Sequence, residues 1–422
     1  MERNKFLQYA AFIVAAFIIL TARSVSAQPS VIPLDSLVAQ ALRNNPGLRS
    51  ADARIGAARA RIGQANAWDD PQVGIEFYST PVTSLNPFRD GMETDYVIQQ
   101  TIPFPGKRSL ESDVAEAGTQ YTVHNADNDR RNLVAEVKKT YAMIYSLQHQ
   151  LDVNAENRQL LEQVAASAQT KYSVGQATMG DVLKAETEIT KLSNDSISIA
   201  QQLSSVEAMM NALRALPDTT GIGRVADIIP TQPAVSYDSL LNGALDFRPD
   251  LLAMESMVQM SRADLAASER NRLPDFMVRG AYKAMVGTTD NWALMIGVNV
   301  PIAPWSSGKY DGKIEEDQYS IEANLQTHHQ MLYMIRYEMR DAWTKMRSHW
   351  QQIERYRQTI IPQAEQTMQT TLALYQGNKT DLLSVLDSER MLNMYKMDNY
   401  MLIGEYESDI AALELATGTS IQ

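Results

Sequence analysis

The stretch "YSVGQATMGDVLKAE" (residues 172–186) decides the fold, because it returns in related form as "YQGNKTDLLSVLDSE" (residues 375–389). Each stretch has a glycine, then a threonine and an aspartate, and then apolar residues at helical spacing. Glycine commonly ends helices, whereas threonine and aspartate commonly begin them. Each stretch is therefore predicted to be a tight turn between two helices.

The two stretches lie 203 residues apart, and the same spacing relates a second, distant part of the chain. Two regions that share one spacing indicate duplication of a unit the size of a fold, well beyond solenoid periods. A segment rich in Gly, Pro and Thr, "LPDTTGIGRVADIIPTQP" (residues 216–233), marks the boundary. Identities at this spacing occur at Leu37, Ala41, Leu42, Pro46, Leu48, Arg59, Ala60 and Pro71.

Each copy is predicted to contain a helix, a β-hairpin and a pair of long helices. A helical period ends at Pro71 and again at Pro274, and alternating apolar residues follow, which is typical of strands. The first repeat covers residues 28–215, with its hairpin at about 72–103 and its helix pair at about 107–215. A linker at 216–236 leads to the second repeat, 237–418, with a hairpin at about 275–301 and a helix pair at about 308–417.

The return helix of the first pair has the clearest periodicity in the chain. Its seam residues step by three and four, which predicts an antiparallel coiled coil of long helices. Only one member of the seam is polar. The seam consists of Val182, Ala185, Ile189, Leu192, Ser196, Ile199, Leu203, Val206, Met210 and Leu213.

The residues of the two turns are assigned local roles from this pattern. We expect Gly175 to end the first long helix, Thr178 to cap the next one and Asp181 to add negative charge to its first turn. In the second copy, the same roles are expected for Gly377, Thr380 and Asp381.

Composition narrows the class of protein. The chain has 422 residues, a formal charge of −12 and no cysteine. The negative charge disfavours a nucleic-acid partner, and the lack of cysteine excludes zinc–thiolate sites, cysteine nucleophiles and lipidation on cysteine.

A charged start, an apolar run and small residues before Gln28 predict a signal peptide over residues 1–27. A membrane anchor is the alternative, but the apolar run is shorter than the roughly 20 residues that span a bilayer.

Four strands are too few to close a barrel, and an open sheet would leave exposed edges. Three copies of the chain would supply twelve strands and a ring of twelve long helices, which would remove those edges. The strand length of about ten residues suits a membrane barrel as well as a sandwich.

The duplicated plan and the two turns, "YSVGQAT...DVL" and "YQGNKT...SVLD", resemble the TolC family of outer-membrane channels over essentially the whole mature chain. The segment "TIPFPGKR" (residues 101–108) is more similar to the CzcC and CusC branch, which serves heavy-metal efflux. The resemblance implies a mainly α fold with a β-hairpin portion. It further implies a homotrimer with a twelve-stranded β-barrel in the outer membrane and a coiled-coil helical tunnel in the periplasm. The implied partners are a periplasmic adaptor, an inner-membrane RND-type pump and outer-membrane lipid.

The resemblance also assigns candidate site residues around the turns. Acidic residues beyond each turn are implied to narrow the periplasmic end, and a basic residue is implied to latch it. These gate residues are Asp181, Lys379 and Asp387; Ser384 stands where a further acid is expected. The alternative is that acids such as Asp181 only stabilise helix ends. The adaptor-docking tips are assigned to Val174, Gly175, Thr178, Gly377 and Thr380.

No enzyme motif is present among the five histidines, and neither catalysis nor a cofactor is expected. A helical stripe of methionines at Met391, Met394, Met397 and Met401 could offer thioethers to a soft metal, but such spacing is also what helix packing requires. The expected function is passive export of heavy-metal cations. An exported coiled-coil scaffold without a pore, or a TolC-like channel for drugs or type I secretion, is the alternative.

Overall fold

The computed structural model describes residues 31–232, 236–301, 305–418 and 421. The predicted signal peptide, residues 1–27, lies outside the described residues. The first repeat contains α1 (Leu34–Asn44), α2 (Pro46–Ala65), β1 (Gln72–Tyr78), the short α3 (Pro87–Asp90), β2 (Glu93–Ile102), α4 (Lys107–Ser173) and α5 (Met179–Leu213). The second contains α6 (Tyr237–Phe247), α7 (Pro249–Arg270), β3 (Phe276–Met285), β4 (Asn291–Val298), α8 (Ser307–Arg355), α9 (Ile361–Gln376) and α10 (Leu382–Thr417). One π-helical turn, Tyr356–Ile360, joins α8 to α9.

The two hairpins form one antiparallel sheet in the order β1-β2-β3-β4. Strand β2 of the first repeat pairs with β3 of the second along its whole length, from Glu93 opposite Met285 to Ile102 opposite Phe276. Strands β1 and β4 are therefore the edges of the sheet. The predicted hairpins are present, and pairing between them makes one continuous surface from both copies.

The two faces of the sheet differ in chemistry. On the polar face, Lys283 forms ion pairs with Glu93 at 2.6 Å and Asp95 at 3.0 Å, and Arg279 pairs with Glu76. Because side chains alternate along a strand, these charges point away from the apolar face. The register places one exposed row across that apolar face: Ile75, Tyr96, Tyr282 and Trp292.

The segment "PFPGKR" ties the two repeats together where the sheet meets the helices. Lys107 is buried and pairs with Asp275 at 2.7 Å, while the same carboxylate accepts a bond from the Phe104 N–H at 2.9 Å. Arg270 donates to the Pro105 carbonyl at 2.7 Å and lies over the Phe104 ring. Gly106 supplies the positive φ of 93° that this bend requires.

The long helices bury a core along their seams. Helix α4 packs against α5, α7 and α10, and α10 packs against α8 and α9. The predicted seam of α5 is confirmed in its main members, since Val182, Ala185, Leu192, Ile199, Val206 and Met210 are all buried. A separate apolar cluster near the turns includes Leu161, Val164, Val182, Val385 and Leu386.

None of the helices in the described ranges is both long enough and apolar enough to cross a membrane.

Gly404 allows α10 to approach α4 closely. A Cβ atom at this position would lie 3.0 Å from the Ser146 Cβ and 3.1 Å from the Ala142 carbonyl oxygen. We expect Gly404→Val to lower the free energy of unfolding by about 1–3 kcal/mol, because the helices must separate to admit the side chain. Thermal unfolding of the purified protein in detergent measures the effect.

Gly312 in α8 is the matched control, because a Cβ there meets nothing within 4 Å. Gly312→Val should leave the melting temperature unchanged or slightly higher, since valine has better helix propensity than glycine. Equal melting temperatures for the two variants would contradict the close-approach argument.

Candidate functional site

The two inter-helix turns meet at one end of the helical region. The first turn joins α4 to α5 and the second joins α9 to α10. Side chains from each turn contact the other, as described below. We call residues 171–181 and 374–384 together the tip site.

The first turn has the local structure that its sequence predicts. Gly175 has a φ of 74°, and the following N–H of Gln176 bonds to the Lys171 carbonyl at 2.8 Å, which closes the end of α4. The Thr178 hydroxyl accepts from the Asp181 N–H at 3.2 Å, and the Asp181 carboxylate accepts from the Thr178 N–H at 3.0 Å. This reciprocal pair is a capping box, so Asp181 does stabilise a helix end.

The second turn corrects two sequence assignments. Gly377 has an ordinary φ of −81°, and the left-handed residue is Asn378 with a φ of 57°. The cap is not Thr380 but Asp381, whose carboxylate accepts from the Ser384 N–H at 3.0 Å and from its hydroxyl at 2.6 Å. The serine hydroxyl bond holds the pKa of Asp381 below its usual value.

The spacing of 203 residues explains both corrections. It places Asn378 on Gly175, Asp381 on Thr178 and Ser384 on Asp181. Asparagine tolerates the left-handed region better than most residues, so the glycine is dispensable there. In the first turn the cap is the hydroxyl residue Thr178 and the acid Asp181 follows three residues later, whereas in the second turn the acid Asp381 is the cap and the hydroxyl residue Ser384 follows. Both turns therefore keep a two-residue cap, but position 384 lacks the acid that was expected there.

The structure of one chain does not bring the three predicted gate residues together. Asp181 lies 3.8 Å from Lys184, and Asp387 pairs with Arg390 at 3.1 Å. Among the described residues, no ion pair joins any two of Asp181, Lys379 and Asp387. Contacts between these residues of different copies of the chain therefore stay a prediction.

A link between the two turns was missed by the sequence reasoning. The Lys171 ammonium group donates to the Tyr375 carbonyl and to the Asn378 side-chain oxygen, and it lies 4.4 Å from the centre of the Tyr375 ring. The Asn378 amide donates in turn to the Gln176 side chain at 3.0 Å. We call Lys171, Gln176, Tyr375 and Asn378 the tip link.

The chemistry of the tip link is that of a cation at a helix carboxyl end. Helix α9 ends at Gln376, so the carbonyls facing Lys171 carry the negative end of its dipole. Tyr375 is buried, and burial together with the nearby Asp181 charge raises the pKa of its hydroxyl. A lysine in the last turn of α4 could have suggested helix-end stabilisation, but not a partner 204 residues away.

The tip site also exposes apolar side chains that helix packing does not use. Val174 is 64% exposed, and similar exposure on both turns leaves an apolar surface at the end of the helices. The other exposed members are Tyr172, Met179, Leu374 and Leu383, and the exposed Leu183 lies just beyond the first turn.

Histidines and methionines elsewhere lie mainly at helix contacts. His349 bonds to Asp409 at 2.7 Å, and His149 stacks on Tyr400 with ring centres 4.6 Å apart. His328 is largely buried next to Glu255. No group of three or more His, Asp or Glu side chains in the part of the chain that the structure describes is arranged to hold a metal ion.

Of the methionine stripe, Met397 packs against the core, and the others are about half exposed: Met391, Met394 and Met401.

The chain is similar to known outer-membrane proteins. A family model described as "Outer membrane efflux protein" matches residues 37–216, which is the first repeat. The outer membrane efflux protein BepC of Brucella suis is 22% identical, over 86% of this chain and 79% of its own length. The cobalt-zinc-cadmium resistance protein CzcC of Cupriavidus metallidurans is 20% identical, over 89% of this chain and 87% of its own. Over most of its first repeat, the chain matches the family of outer membrane efflux proteins.

Solved structures show that this efflux protein has the TolC-like fold. The crystal structure of CusC has a TM-score of 0.77 at 19% identity and covers 92% of each chain. VceC of Vibrio cholerae has a TM-score of 0.76 at 18% identity, over 92% of this chain and 97% of its own. The predicted family, fold class and outer-membrane location with a periplasmic helical part are confirmed. The protein is an outer membrane efflux channel, and its relatives are channel proteins rather than enzymes.

Proposed function

We propose that this channel is the passive outer-membrane conduit of a tripartite pump. Three copies would close the sheet into a barrel and the long helices into a tunnel. A periplasmic adaptor would engage the tips, and an RND-type pump in the inner membrane would drive transport. The observation that carries the proposal is the four-stranded sheet with two open edges, β1 and β4, and one exposed apolar face. Joining copies edge to edge satisfies the strands and turns the apolar face to lipid.

The proposed docking surface is the exposed end of the tip site. It includes the residues assigned from the sequence, Val174, Gly175, Thr178, Gly377 and Thr380, together with the exposed apolar side chains around them. Two turns in each of three copies would present six docking positions, which matches a hexameric adaptor. The match of the first repeat to the outer membrane efflux family favours a channel over the scaffold alternative, a protein without a pore.

The proposed cargo is heavy-metal cations. The names of two relatives support this choice: the cobalt-zinc-cadmium resistance protein CzcC and the cation efflux system protein CusC. The formal charge of −12 is compatible with cation passage. Export of drugs or of proteins by a type I system is the second candidate, favoured by the similarity to BepC, whose name specifies no metal.

One complementation experiment tests conduit, cargo and docking. We expect cells lacking the protein to become more sensitive to cobalt, zinc, cadmium, copper or silver than to dyes and detergents. The wild-type gene should restore resistance, and Gly175→Pro should not, because proline cannot adopt the φ of 74° in this turn. Site-directed crosslinking to the adaptor should disappear with the same substitution.

Gly175→Asn is the matched control, because asparagine occupies the equivalent position of the second turn at a φ of 57°. This variant should restore metal resistance and crosslinking. Sensitivity to dyes and detergents but not to metals would reassign the cargo while leaving the conduit intact. Full resistance with Gly175→Pro would remove the first turn from the docking surface.

A further inference from the structure

The connection between β1 and β2, residues 79–92, lies at the end of the sheet that is farthest from the long helices, because α2 and α4 adjoin the opposite ends of these strands. We call it the distal loop. It exposes large apolar side chains: Val82 and Leu85 are fully exposed, and Phe88 is 82% exposed. Exposed apolar side chains that occur together rather than singly mark a contact with a membrane or with another protein.

The polar groups of the distal loop are bonded to one another. The Ser84 hydroxyl donates to the Asp90 carboxylate at 2.5 Å and accepts from the Asn86 N–H at 3.1 Å. The Asn86 side chain accepts from the Arg89 N–H at 3.3 Å, and the Arg89 guanidinium pairs with Asp90 at 3.3 Å. Ser84 and Asp90 are only partly exposed. A loop surrounded by water normally has the reverse arrangement, whereas protein groups next to lipid must find their polar partners within the protein.

The Phe88 ring shows toward which face of the sheet the distal loop folds. It packs edge-on against the Phe77 ring, with ring centres 4.6 Å apart. Phe77 is two residues from Ile75 on β1, so both side chains lie on the apolar face. The exposed row across that face includes Tyr96, Tyr282 and Trp292, and aromatic rows of this kind mark the lipid–water boundary of a membrane barrel. The distal loop therefore lies beside this boundary, on the apolar side of the sheet.

We propose that the distal loop rests on the lipid surface of the outer membrane, with Val82, Leu85 and Phe88 at the boundary between acyl chains and headgroups. The inference rests on the proposed function, in which the apolar face of the sheet is turned to lipid. The loop does not enter the hydrocarbon, because an irregular backbone there would leave its polar groups unsatisfied. It carries one arginine and one aspartate, so it has no net charge for an ionic partner to recognise.

The distal loop of another copy is the other occupant to consider. Loops that met over the mouth of a closed barrel would fold over the polar face of the sheet, because that face would line the interior. The contact between Phe88 and Phe77 places this loop on the opposite side. The direction of the loop therefore favours lipid over a second copy.

Single cysteine labels test the inference, because the chain has no cysteine of its own. The full chain with Leu85→Cys is labelled with bimane and reconstituted in vesicles of phosphatidylcholine, either plain or brominated on the acyl chains near the headgroups. Bromine quenches bimane only at close range, so we expect brominated lipid to reduce the emission about twofold or more. Thr289→Cys is the matched control, since it places the label on the exposed turn between β3 and β4 and should be quenched little.

Leu294→Cys reports separately on the proposed function, because Leu294 is exposed on the apolar face of β4. Quenching at Leu294 but not at Leu85 would overturn the inference and leave the sheet facing lipid. Quenching at neither position would overturn both. A Leu85 label that is protected from brominated lipid and also from iodide in the water would be covered by protein, which would overturn lipid as the partner.

The contact between the two phenylalanines is tested in the Leu85→Cys protein. Phe88→Asp removes this contact and adds a charge, so it should reduce the quenching of the Leu85 label about twofold. Arg89→Gln is the matched control, because it changes the neighbouring exposed side chain without removing an apolar one, and it should keep the quenching. Equal quenching in the two variants would show that Phe88 does not hold the loop against lipid.

Discussion

Replacing Lys171 with Met and Asn378 with Ala is expected to raise the single-channel conductance of the protein severalfold. The pair removes the tip link, in which one ammonium group holds the carboxyl end of α9 and one amide holds Gln176. A hydrogen bond to a charged group contributes about 1.5 to 3 kcal/mol, and the bonds of the partly exposed Lys171 belong at or below the lower end of that range. In a proposed trimer the loss would occur three times, so even about 1 kcal/mol per chain would change the closed-to-open ratio more than a hundredfold.

Planar-bilayer recordings of the purified variant measure this effect, and antibiotic leakage into cells provides a second readout. Trimer migration on a gel should be unchanged, because the link lies at the end of the helices, away from the core. Lys184→Met is a control that removes a nearby exposed ammonium group outside the link. Wild-type conductance in the double variant would show that the tip link does not hold the mouth.

Substitution of the three gate residues assigned from the sequence provides a comparison with loss of the tip link. Asp181→Ala, Lys379→Ala and Asp387→Ala together should open the channel less than loss of the tip link does. Within one chain, Asp181 caps α5 and Asp387 pairs with Arg390, so these acids already have local partners. If the triple variant were the more open one, contacts between copies of the chain would be the main latch.

The sequence predicted those features that depend on local pattern. The heptad seam of α5, the Gly175 turn and the Thr178 cap each follow from residues within a few positions of one another. The hairpins follow from alternation, and the duplication follows from a constant spacing. Pairing of β2 with β3 was not predicted, because it joins residues that lie far apart in sequence.

The features that sequence reasoning missed depend on which helix packs where. Glu186 and Glu389 occupy equivalent positions in the two repeats, yet only the second is buried. The Asn157 amide of α4 lies next to the Glu389 carboxyl group, whereas Glu186 faces solvent. The sequence around Lys171 likewise does not indicate its role, because its partners lie on the second turn, which only the fold brings beside it.

Glu389→Gln is expected to stabilise the protein at alkaline pH and to have little effect at acidic pH. The unfolded chain ionises this carboxyl group near its ordinary pKa of 4.5, whereas the folded chain holds the proton until about pH 7. Because the folded pKa is the higher one, the wild type loses stability as pH rises from about 4.5 to about 7, and the loss is complete above that range. The difference between the two pKa values corresponds to about 3 kcal/mol.

Thermal unfolding in detergent and chelator, at pH 5 and pH 8, measures this effect. At pH 5 the melting temperatures of the wild type and Glu389→Gln should nearly coincide, and at pH 8 the variant should melt about 4 °C higher for a chain of this size. Other groups with shifted pKa values are common to both proteins and cancel in the difference, such as Asp409, whose pKa burial raises, and His149, whose pKa burial lowers. A stability difference that is the same at pH 5 and pH 8 would mean that Glu389 is ionised, and already paired, in the folded protein.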